Sequence, residues 1–229
     1  SLLPGLEAGL IREVIVADGG STDATCAIAA STGAAVIDSA PGRGQQLRAG
    51  AEAARGEWLL FLHADTALSR DWPERAGAHI DTRPGLAAAF RLKYRSDASE
   101  ARWLEARANR RARWLGLPYG DQGLLISRAL YTEVGGYQDV ALMADVMIVR
   151  AISKQRLVIL DAEARTSAAK ASEAAAEMQA LKAAVAASES LAEELEAAKQ
   201  AEASARAEVA ASVASKEKSE ADAKALRLA

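Results

Sequence analysis

Residues 57–66 read EWLLFLHADT, a run of large apolar side chains that ends abruptly at His63 and Asp65. Such a run is typical of a strand buried on both faces of a parallel sheet. In open α/β sheets, ligands bind just beyond the carboxyl ends of these strands. A carboxylate and an imidazole separated by one residue can hold a divalent cation, and the cation can hold phosphates. In the alternative interpretation, Asp65 caps the next turn and His63 only packs.

A second apolar run ends in the same way, because residues 13–23 read EVIVADGGSTD. The two glycines allow the backbone to turn tightly and to approach a ligand. Ser21 or Thr22 is predicted to cap a helix that runs to about residue 31. The glycine spacing does not match a dinucleotide fingerprint, and the loop lacks the Lys of a P-loop. Asp18 and Asp65 are therefore expected to converge at one edge of one sheet, which favours the ligand site.

Strands and helices alternate along the first part of the chain. Strands are predicted at residues 13–17, 34–38 and 57–62, with helices between them that end near residue 31 and span about 45–54. This βαβαβ order predicts an α/β fold, with a mostly parallel, doubly wound sheet flanked by helices. Further strands are predicted at residues 86–94, 124–127 and 156–160.

A basic amphipathic helix is predicted at about residues 100–115, where the sequence SEARWLEARANRRARWLG carries a Trp near each end. Such a helix can lie on anionic lipid or attract a phosphorylated acceptor. It can also pack its apolar stripe on the sheet and leave its arginines in water. We favour packing, because amphipathic surface helices are common in globular proteins.

The composition changes after about residue 161. No aromatic residue follows Tyr137, and about two in five of residues 163–229 are Ala. We therefore predict a domain at residues 1–161 and an Ala-rich helical tail at residues 162–229. A solvated helix is the favoured interpretation of the tail. A weak coiled coil that supports self-association, a spacer and a partly disordered arm remain alternatives, because the apolar heptad pattern does not persist.

The charge and the cysteine content limit the class of protein to which this chain can belong. Residues 1–162 contain 19 basic and 19 acidic side chains, so the net charge of -3 arises from residues 163–229. This balance argues against a nucleic-acid partner, since a duplex-binding domain presents a basic surface. The single Cys fits a reducing compartment, and the chain has neither a transmembrane run nor a signal pattern. We expect a cytoplasmic protein, with a peripheral position at the membrane left open by the basic helix.

Five motifs in order resemble the family 2 glycosyltransferases, over about residues 11–167. They are DGGSTD at 18–23, PGRG at 41–44, GEWLLFLHADT at 56–66, LPYGDQG at 117–123 and LMADV at 142–146. The greatest likeness is to bacterial members with a His-Ala-Asp metal motif. The resemblance implies a Rossmann-like GT-A fold, a nucleotide-sugar donor, a divalent metal (Mn or Mg) and inverting transfer to an acceptor hydroxyl. Such an enzyme needs a metal for the diphosphate and a carboxylate base for the acceptor.

The resemblance implies a role for residues on the donor side. Asp65, together with His63, would position a metal-bound sugar nucleotide. Asp18 and Arg43 would line the donor pocket. Arg43 lies between two glycines in the PGRG turn, and in the alternative interpretation it is a solvated turn residue.

The resemblance also implies the acceptor side. Tyr119, Asp121 and Gln122 would lie in the acceptor loop, and the acceptor is unknown, with a lipid-linked molecule among the candidates. Asp145 would be the catalytic base. The family carries Glu-Asp at this motif, whereas this chain has Ala144 before Asp145. In the alternative interpretation, Asp145 only stabilises a helix N-terminus.

The chain departs from the family pattern at its start. Family members open with a strand that helps to bind the nucleotide base, whereas residues 1–14 resemble the helix after that strand. We therefore expect an incomplete nucleotide site and an unpaired strand edge. Two other functions stay open: a non-catalytic structural or interaction protein that acts through its tail, and a module that binds a sugar nucleotide without transferring the sugar.

Overall fold

The computed structural model describes residues 1–140 and 143–167. Their strands are β1 Ile15–Asp18, β2 Ala35–Asp38, β3 Trp58–Phe61, β4 Ala67–Leu68, β5 Ala87–Tyr94, β6 Leu124–Ser127 and β7 Leu157–Thr166. Their α-helices are α1 Leu3–Glu7, α2 Thr25–Ser31, α3 Arg43–Ala53, α4 Trp72–Thr82, α5 Ser99–Leu115, α6 Arg128–Glu133 and α7 Ala144–Ile152. Short 3-10 helices lie at Gly120–Gln122 and Lys154–Arg156.

The strands form two sheets in the described part of the chain. One contains the parallel pair β1 and β2, and the other has the strand order β3-β6-β5-β7-β4. In the larger sheet only β5 and β7 are parallel, because β3 and β5 both pair antiparallel with β6 and β4 pairs antiparallel with β7. The α/β class is confirmed. The prediction of one mostly parallel sheet is wrong, because the hydrogen-bonded partner of β3 comes from much later in the chain.

The two sheets are linked by side chains. The carboxylate of Glu13 accepts hydrogen bonds from the backbone nitrogens of Arg55 (2.6 Å) and Gly56 (3.1 Å), just before β3. Gln46 of α3 donates through Nε2 to the carbonyl oxygen of Ala17 in β1. Helix α3 therefore begins beside the carboxyl ends of both β1 and β3, which is the edge where the sequence predicts a ligand site.

The larger sheet has helices packed on both faces. Successive side chains of a strand point to opposite faces. Leu124 and Ile126 of β6 accordingly pack with residues of α3, α6 and α7. Leu125, between them, packs with Phe90 of β5 and Trp72 of α4. This layered arrangement fixes the carboxyl end of β3 and the N-terminus of α7 on the same side of the sheet.

Most of the predicted elements occur within a few residues of their expected bounds. The predicted N-cap of α2 is an exception, because α2 begins at Thr25 and the residue before it is Ala24. The hydroxyl of Ser21 instead donates to Asp18, and the carboxylate of Asp23 accepts a hydrogen bond from the backbone nitrogen of Thr25. Strand β7 continues to Thr166, within the range assigned to the tail. The rest of the predicted helical tail lies outside the described residues. None of the helices described here has the length and apolar character needed to cross a bilayer.

Candidate active site

Three predicted site residues from distant parts of the chain meet in one cluster. Arg43 is the first residue of α3, His63 follows β3, and Asp145 is the second residue of α7. Nη2 of Arg43 lies 2.6 Å from Nε2 of His63, and Nη1 lies 3.4 Å from Oδ2 of Asp145. Gly42 precedes Arg43 with φ of 143°, a backbone conformation that only glycine adopts readily. The glycine of the PGRG turn thus lets α3 start where its arginine reaches both partners.

Asp145 is held in a buried position at a helix start. Its exposed fraction is 8%, and its Oδ1 accepts no hydrogen bond from the described residues. The positive end of the α7 dipole stabilises a negative charge at this position. The guanidinium of Arg43 adds a second source of positive charge. The remaining oxygen of Asp145, Oδ1, is buried and has no hydrogen-bond partner among the described residues.

Gly120 leaves room for the cluster. A Cβ at position 120 would overlap Oδ2 of Asp145 and lie 2.5 Å from Nε2 of His63. The loop that contains Tyr119 and Asp121 consequently packs directly against the two polar side chains. Any larger residue at position 120 must displace Asp145, His63 or the loop.

Arg111 of α5 contacts the predicted acceptor loop and holds it in place. The guanidinium carbon of Arg111 lies 3.4 Å from the centroid of the Tyr119 ring, and Nε donates to the carbonyl oxygen of Leu117 at 2.9 Å. Burial lowers the pKa of Arg111 below its ordinary high value. Tyr119 is 40% exposed, so its ring is supported on one side while part of it remains accessible to a ligand.

Gln122 lies in the interior of the protein. Its exposed fraction is 0%, and Nε2 donates to the carbonyl oxygen of Phe90 in β5 at 3.0 Å. In this conformation Gln122 anchors the loop to the sheet and does not face the cluster. Asp121 lies beside it, with Arg111 and Tyr94 as electrostatic neighbours.

Asp18 is engaged within its own turn. Its Oδ2 accepts hydrogen bonds from the backbone nitrogens of Gly20 (2.9 Å) and Ser21 (2.8 Å), while Oδ1 accepts from the Ser21 hydroxyl. The hydrogen bonds from Ser21, with that from Gly20, hold the pKa of Asp18 below its ordinary value. Asp18 therefore shapes the glycine turn that was predicted to approach the donor.

We expect Asp18→Asn to lower stability in a pH-dependent way. The hydrogen bonds act on the ionised carboxylate, so their stabilisation is present above the ordinary aspartate pKa of about 3.9. It is lost as the pH falls through the lower pKa of the folded state. Urea unfolding between about pH 6 and pH 2.5 should therefore show a gap between wild type and variant that narrows toward acid. Asp81→Asn, at an exposed position of α4, should show no such gap.

Asp65 and His63, the predicted metal ligands, have different neighbours. Oδ2 of Asp65 lies 3.3 Å from the hydroxyls of Thr166 and Ser167 at the end of β7. The described residues contain no group of three or more His, Cys, Asp or Glu that could hold a metal. Mg²⁺ commonly takes one or two protein carboxylates and completes its shell with phosphates and water. The carboxylate of Asp65 fits an ion shared in this way, and does not fit an all-protein metal cage.

His63 and Asp145 of the cluster line a cavity that was only partly predicted from the sequence. Its lining is mainly apolar and comprises Leu47, Phe61, Leu62, His63, Pro118, Tyr119, Gly120, Gly123, Leu124, Tyr137, Asp145 and Val149. Tyr137 was missed because its sequence context carries no motif. Burial, with the charge of Asp145, raises the pKa of Tyr137 well above its ordinary value, so Tyr137 remains protonated beside the cluster.

Several solved structures resemble this chain. TarS 1–349 of S. aureus in complex with UDP-GlcNAc is 17% identical, with a TM-score of 0.51 and coverage of 67% of this chain and 49% of that one. Glucosyl-3-phosphoglycerate synthase of Mycobacterium tuberculosis is 22% identical, with a TM-score of 0.45 and coverage of 69% and 60%. A mannosyltransferase of Pyrobaculum calidifontis, in complex with GDP-Man and Mn²⁺, is 20% identical, with a TM-score of 0.49 and coverage of 67% and 47%. The TarS similarity supports a common fold.

The chain thus spans between 47% and 60% of the length of these three structures. No curated protein matches it. The sequence profile described as "Glycosyl transferase family 2" matches residues 6–138, which is more than half of the chain. With the α/β fold and the meeting of Arg43, His63, Gly120 and Asp145 beside the carboxyl end of β3, this match shows that the chain belongs to glycosyltransferase family 2.

Proposed function

We propose that this protein transfers a sugar from a nucleotide-sugar donor to an acceptor hydroxyl, with inversion at the anomeric carbon. The observation that carries the proposal is the position of Asp145, a buried carboxylate with one oxygen toward Arg43 and the other without a hydrogen-bond partner among the described residues. A positioned carboxylate of this kind suits a general base. Family membership and the donor complexes of similar proteins support the reaction class.

In the proposed reaction, Asp145 accepts the proton of the acceptor hydroxyl. The hydroxyl oxygen forms a bond to the anomeric carbon as the bond from that carbon to the diphosphate oxygen breaks. The electron pair of the broken bond leaves with the nucleoside diphosphate. Attack opposite to the leaving group inverts the anomeric configuration. One base suffices for this single displacement, whereas retention through a covalent intermediate requires a nucleophile as well.

On the donor side, we assign the diphosphate to Arg43. Its side chain is half exposed, so the guanidinium can turn from Asp145 toward a diphosphate, with which it can form paired hydrogen bonds. This movement would also free Oδ2 of Asp145. Asp65, with His63, would hold a divalent ion, which when bound neutralises charge on the diphosphate. Asp18 would act by shaping the glycine turn at the end of β1.

On the acceptor side, we assign contact with the substrate to Tyr119 and Asp121. The Tyr119 ring is partly exposed and rests on Arg111, so it offers a fixed face on which a sugar or another acceptor can pack. Gln122 would act indirectly, since its hydrogen bond to the carbonyl of Phe90 holds the loop in place.

A direct test is release of nucleoside diphosphate from UDP-glucose, UDP-GlcNAc and GDP-mannose, with Mn²⁺ or Mg²⁺ and a panel of hydroxyl acceptors. The proposal predicts acceptor-dependent release with one or more donors, and a product with the inverted anomeric configuration by NMR. A retained configuration would contradict the single displacement.

A second candidate function is donor binding without transfer. It is favoured by the position of β1 and β2, and hence of the glycine turn after β1, in a sheet separate from the one that contains β3. The two candidates differ in turnover. Both predict that Asp145→Asn binds a nucleotide sugar no more weakly than wild type does, but a binding module would release no nucleoside diphosphate with any acceptor.

A further inference from the structure

Helix α5 packs on the protein through a face of small and polar residues. Ala101, Ala108 and Ala112 are buried there. Glu105 accepts a hydrogen bond from the backbone nitrogen of Tyr94 in β5 at 2.7 Å. Packing on the sheet was predicted, but the contact does not use the tryptophans.

The opposite face of α5 carries two tryptophans and two arginines in one stripe. Trp103, Arg107, Arg110 and Trp114 follow each other at spacings of four, three and four residues, which places them on one side of a helix. All four are exposed, including Trp103 at 49% and Trp114 at 69%. The stripe is about 16 Å long at 1.5 Å per residue. We call these four residues the Trp-Arg stripe.

Residues beside the Trp-Arg stripe are also basic or apolar and are exposed. Arg102 and Arg113 are also exposed and lie beside the Trp-Arg stripe, both on the same side of it, while Glu100 is exposed in the first turn of the helix. Leu115, at the C-terminal end of α5, is 62% exposed. The guanidinium of Arg107 lies 4.7 Å from the centroid of the Trp103 ring, so cation and aromatic ring already share one surface.

We propose that the Trp-Arg stripe of α5 binds the surface of an anionic phospholipid bilayer. Tryptophan is favoured at the membrane interface, because its ring is apolar and its indole N–H is polar. Arginines beside it are attracted to anionic headgroups over about one Debye length. A helix with basic residues and Trp on its exposed face, lying in the plane of the interface, meets both requirements.

Charge complementarity favours a bilayer over another folded protein. Residues 1–162 have no net charge, so the four exposed arginines of α5, which outnumber its one exposed acidic residue Glu100, make a local positive field. Anionic lipids can gather beneath such a field without a fixed geometry, whereas a protein partner would need carboxylates in matching positions.

The position of α5 connects this surface to the site. Its last residues, Trp114 and Leu115, are followed directly by the loop from Leu117 to Gly123, which contains Tyr119. A protein bound through α5 would therefore hold the acceptor loop close to the bilayer. This consequence rests on the proposed function, since it concerns where an acceptor enters. The proposal that α5 binds a bilayer does not rest on the proposed function.

The test is co-sedimentation of the full chain with vesicles of phosphatidylcholine and phosphatidylserine at about 7:3, beside vesicles of phosphatidylcholine alone. We expect binding to the anionic vesicles only, with a loss of affinity when NaCl is raised from about 0.1 M to 0.5 M. Arg107→Glu with Arg110→Glu should lower the affinity for anionic vesicles by at least about tenfold, because two attractive charges become repulsive. Trp114→Ala should also weaken binding.

The control is Arg12→Glu with Arg70→Glu, which makes the same charge change at exposed positions outside α5. This variant should bind like wild type, and thermal unfolding should confirm that both double variants are folded. Equal binding to neutral vesicles, no binding to either, or full binding by the α5 variant would each overturn the proposal. Binding is measured without donor or acceptor, so a protein that binds vesicles but transfers no sugar contradicts only the proposed function.

Discussion

Asp145→Asn is expected to lower the rate of sugar transfer by about 10²- to 10⁴-fold, the usual contribution of a positioned general base. The amide has nearly the shape of the carboxylate but cannot take up the proton of the acceptor hydroxyl. Donor binding should not be weakened, because the diphosphate is assigned to Arg43 and Asp65. The measurement is the rate of nucleoside diphosphate release at saturating donor and acceptor, together with the donor Kd.

Asp81→Asn is the matched control, since it makes the same chemical change at an exposed position of α4. It should leave both the rate and the Kd at wild-type values. If Asp145→Asn keeps more than about a tenth of the wild-type rate, Asp145 is not the base. Its role would then be limited to the helix N-terminus and the ion pair with Arg43.

Gly120→Ala is expected to remove most of the transfer activity while leaving the protein folded. The added Cβ would overlap Oδ2 of Asp145 and come within 2.5 Å of Nε2 of His63. At least one of these groups must move, and a displacement of about 1 Å in a catalytic group can cost about 10²-fold in rate. The prediction is a fall of at least about 10²-fold in the transfer rate, measured beside circular dichroism.

Gly77→Ala in α4 is the control for Gly120→Ala. No atom lies within 4 Å of a Cβ at position 77, so this change should raise the free energy of unfolding by about 1 kcal/mol and leave transfer unchanged. Wild-type transfer by Gly120→Ala would show that close packing of the loop against Asp145 and His63 is not needed.

Local patterns predicted the elements better than their arrangement. Strand β6 occupies the predicted residues 124–127, and α5 begins one residue before its expected start. Both have strong local signals, a short apolar run in one case and helical amphipathicity in the other. The pairing of β3 with β6 was not predicted. The alternation of strands and helices predicts the handedness of the connections between them, but it does not predict that a later strand will lie between β3 and β5.

The candidate site could be predicted where a motif ends a strand or begins a helix. His63 was named from such a position, and Arg43 and Asp145 were named from the resemblance to the family; the structure brings the three together. Gly120 and Tyr137 were not singled out, because their importance lies in which atoms the fold puts beside them. The burial of Gln122 was equally invisible, since a polar residue in a glycine-rich loop looks exposed until its partner in β5 is known.

Calorimetric titration with UDP and GDP, with and without Mn²⁺, tests the central claim that this chain has a working donor site. Wild type is expected to bind at least one of the two nucleotides in a Mn²⁺-dependent way, and Asp65→Ala is expected to lose that binding, because its carboxylate would hold the ion beside the diphosphate. No binding by folded wild-type protein, or binding that survives in Asp65→Ala, would contradict the account.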